Sequence, residues 1–269
     1  MNPDVENIEP LKKKKHLISK KIDAFFISIY NVHKFISQYF KEVFSPPFEF
    51  KELINQCYQV GYKSLPLITL TGFITGLVFT KQSRPSLSDF GATSWLPSLI
   101  SIAIIRALAP LVTALIAAGK VGSNIGAELG SMKVTEQIDA MDVSGTNPFK
   151  FLVVTRITAT TLMIPILVIY TGLVGMLGSY LNIHQNELTS FPAFINSAFK
   201  TISFLDIISS LFKATCFGFT IGVAGCYQGY YAKNGTKGVG MAANAAVVIA
   251  MFMIFIEEVI IVQIVNAFR

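Results

Sequence analysis

The sequence predicts an all-α integral membrane protein, with an N-terminal amphipathic helix in the membrane interface, about five transmembrane helices, and a short coupling helix between spans two and three. Three features lead there. Only 14% of the 269 residues are charged while 52% are hydrophobic, and the mean hydropathy is +0.55. Soluble domains carry about 25% charged residues, so this deficit suits a lipid environment. Apolar runs able to cross about 30 Å of hydrocarbon, which takes about 20 helical residues, recur near 61–80, 95–118, 151–178, 207–230 and 241–265. Between the second and third runs the chain turns polar and amphipathic, as an elbow outside the hydrocarbon must.

Residues 1–18 are polar and lysine-rich, with Pro3 and Pro10, and predict a basic disordered tail. From 19 to 44, Ile22, Phe25, Phe26, Ile29, Val32, Ile36, Phe40 and Val43 share a helical face that Lys20, Lys21, Lys34 and Lys41 mostly avoid. A basic helix with a bulky apolar stripe belongs in the membrane interface, because too few other soluble residues exist to bury that stripe in a separate core. Ser45-Pro46-Pro47 ends the helix, and 48–60 predicts a second amphipathic turn. The chain therefore divides into a tail (1–18), interfacial helices (19–60) and a transmembrane domain (61–269).

In the first span Pro66 should loosen the helix, while Gly72 and Gly76 form a GxxxG packing face, with Gln82 beyond them. The second span starts at Trp95, an interfacial anchor, and contains Arg106 and Pro110. An intramembrane arginine is costly enough to face protein, water or a headgroup. Arg106 is thus either a functional group or one half of a structural pair. Ala114, Ala118, Gly122, Gly126 and Gly130 recur every fourth residue and would form a flat helix-packing strip. After Gly130, Val134, Ile138 and Met141 fall on one face and Glu136, Asp139 and Asp142 lie off it, before Gly145 and Pro148 stop the helix. Such a helix should lie at the membrane surface, within reach of a soluble partner.

The third span contains Pro165 and a small-residue row, Thr171, Gly175 and Ser179. Phe191, Pro192, Phe194 and Phe199 suggest an amphipathic segment on the far surface. Gly218, Gly222, Gly225 and Gly229 make the fourth span a packing helix, with Tyr227, Tyr230 and Tyr231 at its end. Glu257 and Glu258 interrupt the fifth span, so at least one should face a cavity, Arg106 or the far interface.

Basic residues cluster before the first span and recur as Lys233 and Lys237 after the fourth, which places the N-terminus, the 131–148 elbow and the 230–240 turn in the cytoplasm. Five spans put the termini on opposite sides. The net charge of +6 suits anionic headgroups rather than nucleic acid, as the lysine run has no interleaved aromatics. The first apolar run lacks a signal-peptidase pattern and would itself serve as the targeting element. Cys57, Cys216 and Cys226 lack metal-ligand or disulfide-framework spacing. Gly119-Lys120 lacks the remaining residues of a phosphate-binding loop, and no HExxH or GxSxG motif exists. The chain is expected to be no enzyme and to bind no cofactor or metal itself.

The wording of Arg106 to Arg156, with Ala127-Glu128-Leu129-Gly130, Val134-Thr135-Glu136-Gln137-Ile138-Asp139-Ala140 and Gly145-Thr146-Asn147-Pro148, closely resembles the MlaE family. Gly225-Cys226-Tyr227-Gln228-Gly229 and Gly238-Val239-Gly240 are similar to its second block, and the resemblance covers about 60–265. That family comprises permease subunits of ABC systems moving phospholipids between membranes. The resemblance implies a homodimer in the inner (cytoplasmic) membrane, a cytoplasmic ABC ATPase subunit that uses the ATP, an MCE-domain protein on the other side, and phospholipid as cargo. It makes Glu128, Glu136, Ile138, Asp139 and Met141 candidates for ATPase coupling, and Arg106, Gln82, Tyr227 and Glu257 candidates for the lipid pathway. Two departures stand out: Ala107 replaces the family's usual acid, and Thr155 replaces a common proline. Alternatives are an ABC importer permease for another solute and a non-transporting membrane scaffold.

Overall fold

The computed structural model describes residues 8–233 and 235–267, and all its regular elements there are helical. Two units divide at Pro47. The first is helix α1 (Ile8–Val43), 36 residues and so about 54 Å long. Residues 1–7 of the expected tail lie outside the described residues. Residues 8–18, expected to be unstructured, belong to this helix, since lysine propagates a helix well even where no apolar face guides it. Phe26, Ile29 and Phe40 on this helix are exposed.

The second unit, from Phe48 onward, holds the five helices long and apolar enough to cross a membrane. Helix α2 (Phe50–Val60) feeds α3 (Leu65–Asp89). Pro66 lies in the first turn of α3, where its missing N–H interrupts no bond, so it starts the helix rather than loosening it. The second span runs as α4 (Leu96–Ala103), α5 (Ala109–Ala117) and α6 (Ser123–Val134), joined through two π turns, Ile104–Leu108 and Ala118–Gly122. The coupling helix α7 (Gln137–Val143) follows. A third π turn, Phe149–Val154, opens α8 (Thr155–Glu187). Helix α9 (Phe191–Lys200) turns the chain on the far side, α10 (Phe204–Tyr230) returns it, and α11 (Gly235–Ala267) ends it.

Helix α8 is the axis of this unit, and small residues set how its neighbours approach. Gly76 of α3 lies so close to Gly175 and Ser179 of α8 that the Ser179 hydroxyl donates to the Gly76 carbonyl at 3.1 Å. The glycine pair of span one and the small row of span three are thus two halves of one contact. On another face of α8, a Cβ at Gly218 would come within 2.6 Å of the Thr160 carbonyl. A Cβ at Gly229 would come within 2.9 Å of the Gly126 carbonyl of α6, and one at Gly126 would meet Ala242 and Ala246 of α11 at 3.2 Å. Gly122 and Gly130 are buried in the same seam. The strip from Ala114 to Gly130 is not one straight row, because the π turn at Ala118–Gly122 adds a residue to the helix and shifts its phase.

The outward face of α8 carries Leu162, Ile166, Ile169, Leu173, Leu177 and Leu181, all exposed. From Leu162 to Leu181 the rise is about 28 Å, close to the hydrocarbon thickness. This row is about as tall as the hydrocarbon layer, with the elbow beyond its Leu162 end.

Candidate functional site

Two polar constructions stand out, one at each end of the bundle. At the elbow, α6 ends at Val134 and Glu136 adopts a left-handed φ of 59° before α7 begins. Gly145, with φ of 79°, ends the elbow in a conformation that suits glycine. Ile138 is buried and Met141 half-buried, so these two candidates anchor α7 and leave its opposite face exposed. That face is Glu136, Asp139, Asp142 and Val143, the last 91% exposed. Asp139 accepts a 2.7 Å contact from Lys133, which ties the base of α7 to the end of α6.

Glu128 bridges α6 to α8. Its Oε1 lies 2.8 Å from Nη2 of Arg156, a guanidinium only 2% exposed whose Nη1 donates to the Leu152 carbonyl at 2.9 Å. The two helices that flank the elbow are therefore joined by an ion pair next to it. Phe149 packs edge-on against Tyr230 with centroids 5.9 Å apart, which adds the end of α10 to the same cluster.

The second construction lies toward the far side. Pro110 lacks the N–H that would reach the Arg106 carbonyl, and the chain here forms a π turn. The freed carbonyl accepts from Nζ of Lys213 on α10 at 3.3 Å, and the same ammonium lies 2.5 Å from Glu258 on α11. Lys213 is 2% exposed, so its charge is almost wholly taken up by these contacts. Arg106 itself donates to Asn266 at 2.7 Å and lies 3.9 Å from Asp206, whose other oxygen accepts from the backbone of Ser203 in a capping box at the start of α10. Glu257 accepts from the Thr220 hydroxyl, and one oxygen of each glutamate is buried without a hydrogen bond.

The four lipid-pathway candidates do not converge. Gln82 is exposed near the far end of α3, and Glu257 meets Thr220 rather than Arg106. Tyr227 lies at the elbow end of α10, stacked edge-on with Tyr231, about 30 Å along the helix from Asp206. Arg106 is paired within the protein. Ala107 is exposed, so an acid there would point away from the Lys213 cluster. Sequence reasoning missed Lys213 and the capping role of Asp206. The rule that singles out Arg106 applies equally to a lysine inside an apolar span, and Ser203-Phe204-Leu205-Asp206 matches a capping box.

An apolar groove of about 160 Å³ opens beside this cluster, with Val168 and Leu173 of α8 and Leu211 of α10 among its walls. It also includes Ile105 and Ile207, the chain neighbours of Arg106 and Asp206. Among the described residues no group of three or more His, Cys, Asp or Glu side chains could hold a metal ion.

The family model described as Permease MlaE matches residues 53–264, which include both constructions except Asn266. The chain belongs to the MlaE permease family. A probable ABC transporter permease protein of Rickettsia prowazekii is 36% identical over 256 residues, covering 94% of this chain and 98% of its own. A probable ABC transporter permease protein of Synechocystis is 36% identical over 208 residues, covering 77% and 79%. The chloroplastic protein trigalactosyldiacylglycerol 1 of Arabidopsis thaliana is 33% identical over 208 residues, covering 77% of this chain and 59% of its own. This MlaE permease is a multi-pass membrane subunit of the ABC transporter class, and the elbow and the intramembrane charges lie inside the matched region.

Proposed function

We propose that this permease moves phospholipids between membranes as a homodimer in the inner membrane, driven by a separate ATPase docked at the elbow. The observation that carries the reading is the elbow itself. An exposed acidic helix with an apolar tip at Val143 is joined through Glu128 and Arg156 to the helices on either side of it. A push on α7 would reach α6 directly and α8 through the ion pair. Phospholipid as cargo is supported by the apolar groove next to the Arg106 and Lys213 cluster, since an acyl chain and a charged headgroup need both environments. The groove is too small for a whole lipid and suits part of one chain. The trigalactosyldiacylglycerol relative supports a lipid cargo by its name. The basic residues before span one support a cytoplasmic N-terminus and elbow, and an MCE-domain protein would continue the path on the far side.

Affinity purification from native membranes in mild detergent tests the whole assembly. Recovery of an ABC ATPase, an MCE-domain protein and phospholipid is expected; a soluble solute-binding protein in their place would favour an importer, and no ATPase a scaffold. Reversal of the elbow charges, Glu136→Lys with Asp139→Lys, should abolish ATPase recovery. The Asp139 ion pair is exposed and contributes about 0–1 kcal/mol, so the fold should survive. ATPase recovery at the wild-type level would refute this docking site.

A further inference from the structure

A cavity of about 720 Å³ opens between α2, the turn at Tyr62–Ser64, the elbow-side half of span two and Val239 of α11. Four ionisable side chains line it: Glu52, Lys63, Lys120 and Glu128. Both carboxylates are engaged. Glu128 faces Arg156 at 2.8 Å, and the oxygens of Glu52 accept from Gln56 at 2.7 Å and Asn55 at 3.4 Å. The lysines are not matched in this way. Among the described residues neither ammonium has a carboxylate within 4 Å. Lys120 donates to the Lys63 backbone carbonyl, and the Lys63 ammonium lies 6.0 Å from the centroid of the Tyr58 ring. Two cations are therefore gathered on one cavity wall, each with donors to spare.

Their depth in the membrane is informative. Gly61 packs against Met163, the residue after Leu162, where the lipid-facing row of α8 ends on the elbow side. The first span and α8 run in the same direction, Gly72 meeting Thr171 and Gly76 meeting Gly175, so Lys63, two residues after Gly61, and Lys120 bonded to it lie at the elbow-side edge of that row. Lys120 also belongs to a π turn, an insertion that recurs at functional sites. Helix α2 turns Phe50, Ile54 and Tyr58 outward and buries Gln56, so its polar side faces the cavity and its apolar side the lipid. The volume falls in the range of small-ligand sites.

We propose that this cavity binds the phosphate group of a phospholipid from the elbow-side leaflet, with Lys63 and Lys120 donating to its anionic oxygens. Asn124 and Gln59 line the remaining space and can hydrogen-bond the rest of the headgroup. The proposal rests on the lipid-transport reading and adds a headgroup station about 21 Å along span two from Arg106.

Calorimetric titration of the full-length chain in detergent tests it, with dihexanoyl phosphatidylglycerol, inorganic phosphate and dihexanoylglycerol as probes. The phosphatidylglycerol should bind saturably, and the dihexanoylglycerol, which lacks phosphate, should not. Lys63→Gln with Lys120→Gln should weaken phosphatidylglycerol binding about a hundredfold, roughly tenfold for each charge-assisted bond lost. The amide introduced by Lys120→Gln can still donate to the backbone carbonyl of residue 63, and unchanged helicity by circular dichroism would confirm that the fold is kept. Lys63→Arg with Lys120→Arg should stay within about threefold, because the charge is retained. Affinity unchanged in the glutamine variant would overturn the proposal, as would inorganic phosphate binding as tightly as the lipid. Mass spectrometry of lipids retained by the purified wild type separates the two readings. Phospholipid retained, with titration indifferent to the lysines, removes the headgroup station and leaves lipid transport standing; no phospholipid bound by the wild type removes both.

Discussion

Removal of the Lys213 ammonium should destabilise the bundle more than removal of the whole ion pair. Lys213 is 2% exposed and Glu258 is 16% exposed at its side chain, with 2.5 Å between Nζ and Oε1. Lys213→Met keeps the length and apolar bulk of the side chain but leaves Glu258 charged, with Oε2 already lacking a partner. Breaking one side of a buried pair costs about 3–5 kcal/mol, whereas replacing both charges with apolar groups of similar volume is often close to neutral. The single variant should therefore lose stability, with a melting temperature lower by roughly 10 °C for a chain of this size. Lys213→Met with Glu258→Met should recover part of that loss, to within about 1–3 kcal/mol of wild type, since the Arg106 carbonyl still loses its Lys213 donor. Thermal unfolding in detergent, followed by size-exclusion recovery of each variant, completes the double-mutant cycle. Additive losses in the double variant would show that the two charges are not coupled and would refute the reasoning. A wild-type melt for Lys213→Met would do the same.

Two further expectations follow from the packing and the elbow. Gly76→Val places a branched side chain against the Gly175 backbone, which cannot retreat as a flexible side chain could, and should cost about 1–3 kcal/mol or force α3 from α8. A melt equal to wild type would remove this contact as the reason for the GxxxG face. Arg156→Gln should destabilise the fold by about 1–3 kcal/mol, because a buried donor set to Glu128 and the Leu152 carbonyl is lost. Glu128→Gln keeps an oxygen that can accept from Arg156 but removes the charge facing that buried guanidinium, so it should cost a comparable amount while reducing ATPase stimulation in the reconstituted complex. Comparing melts with ATP hydrolysis for these two variants checks whether the pair couples the elbow or only holds it.

Much of the architecture was legible in residue type and period. Apolar runs of bilayer length announce helices whatever they pack against, because unsatisfied backbone in hydrocarbon leaves few alternatives. The elbow was legible because acidic residues at 136, 139 and 142 cannot stay in hydrocarbon. Its inward side was less so. Ile138 and Met141 read as part of the coupling surface, and the structure buries Ile138 and half-buries Met141, on the apolar face they share.

The candidate lipid residues show the same boundary. The cost of charge in hydrocarbon, a property of the residue alone, selected Arg106 and Glu257. Their partners are a property of helix rotation and register. Residue types and their periods establish an all-α membrane protein, its five spans, its small-residue packing faces and an acidic elbow. Helix packing in three dimensions settles that Gly72 and Gly76 meet α8, that Arg156 joins Glu128 across the elbow, and that Lys213 rather than Arg106 neutralises Glu258. Pro110 and three π turns shift the phase of their helices, and no count of residues along a chain fixes which side chains such shifts bring face to face.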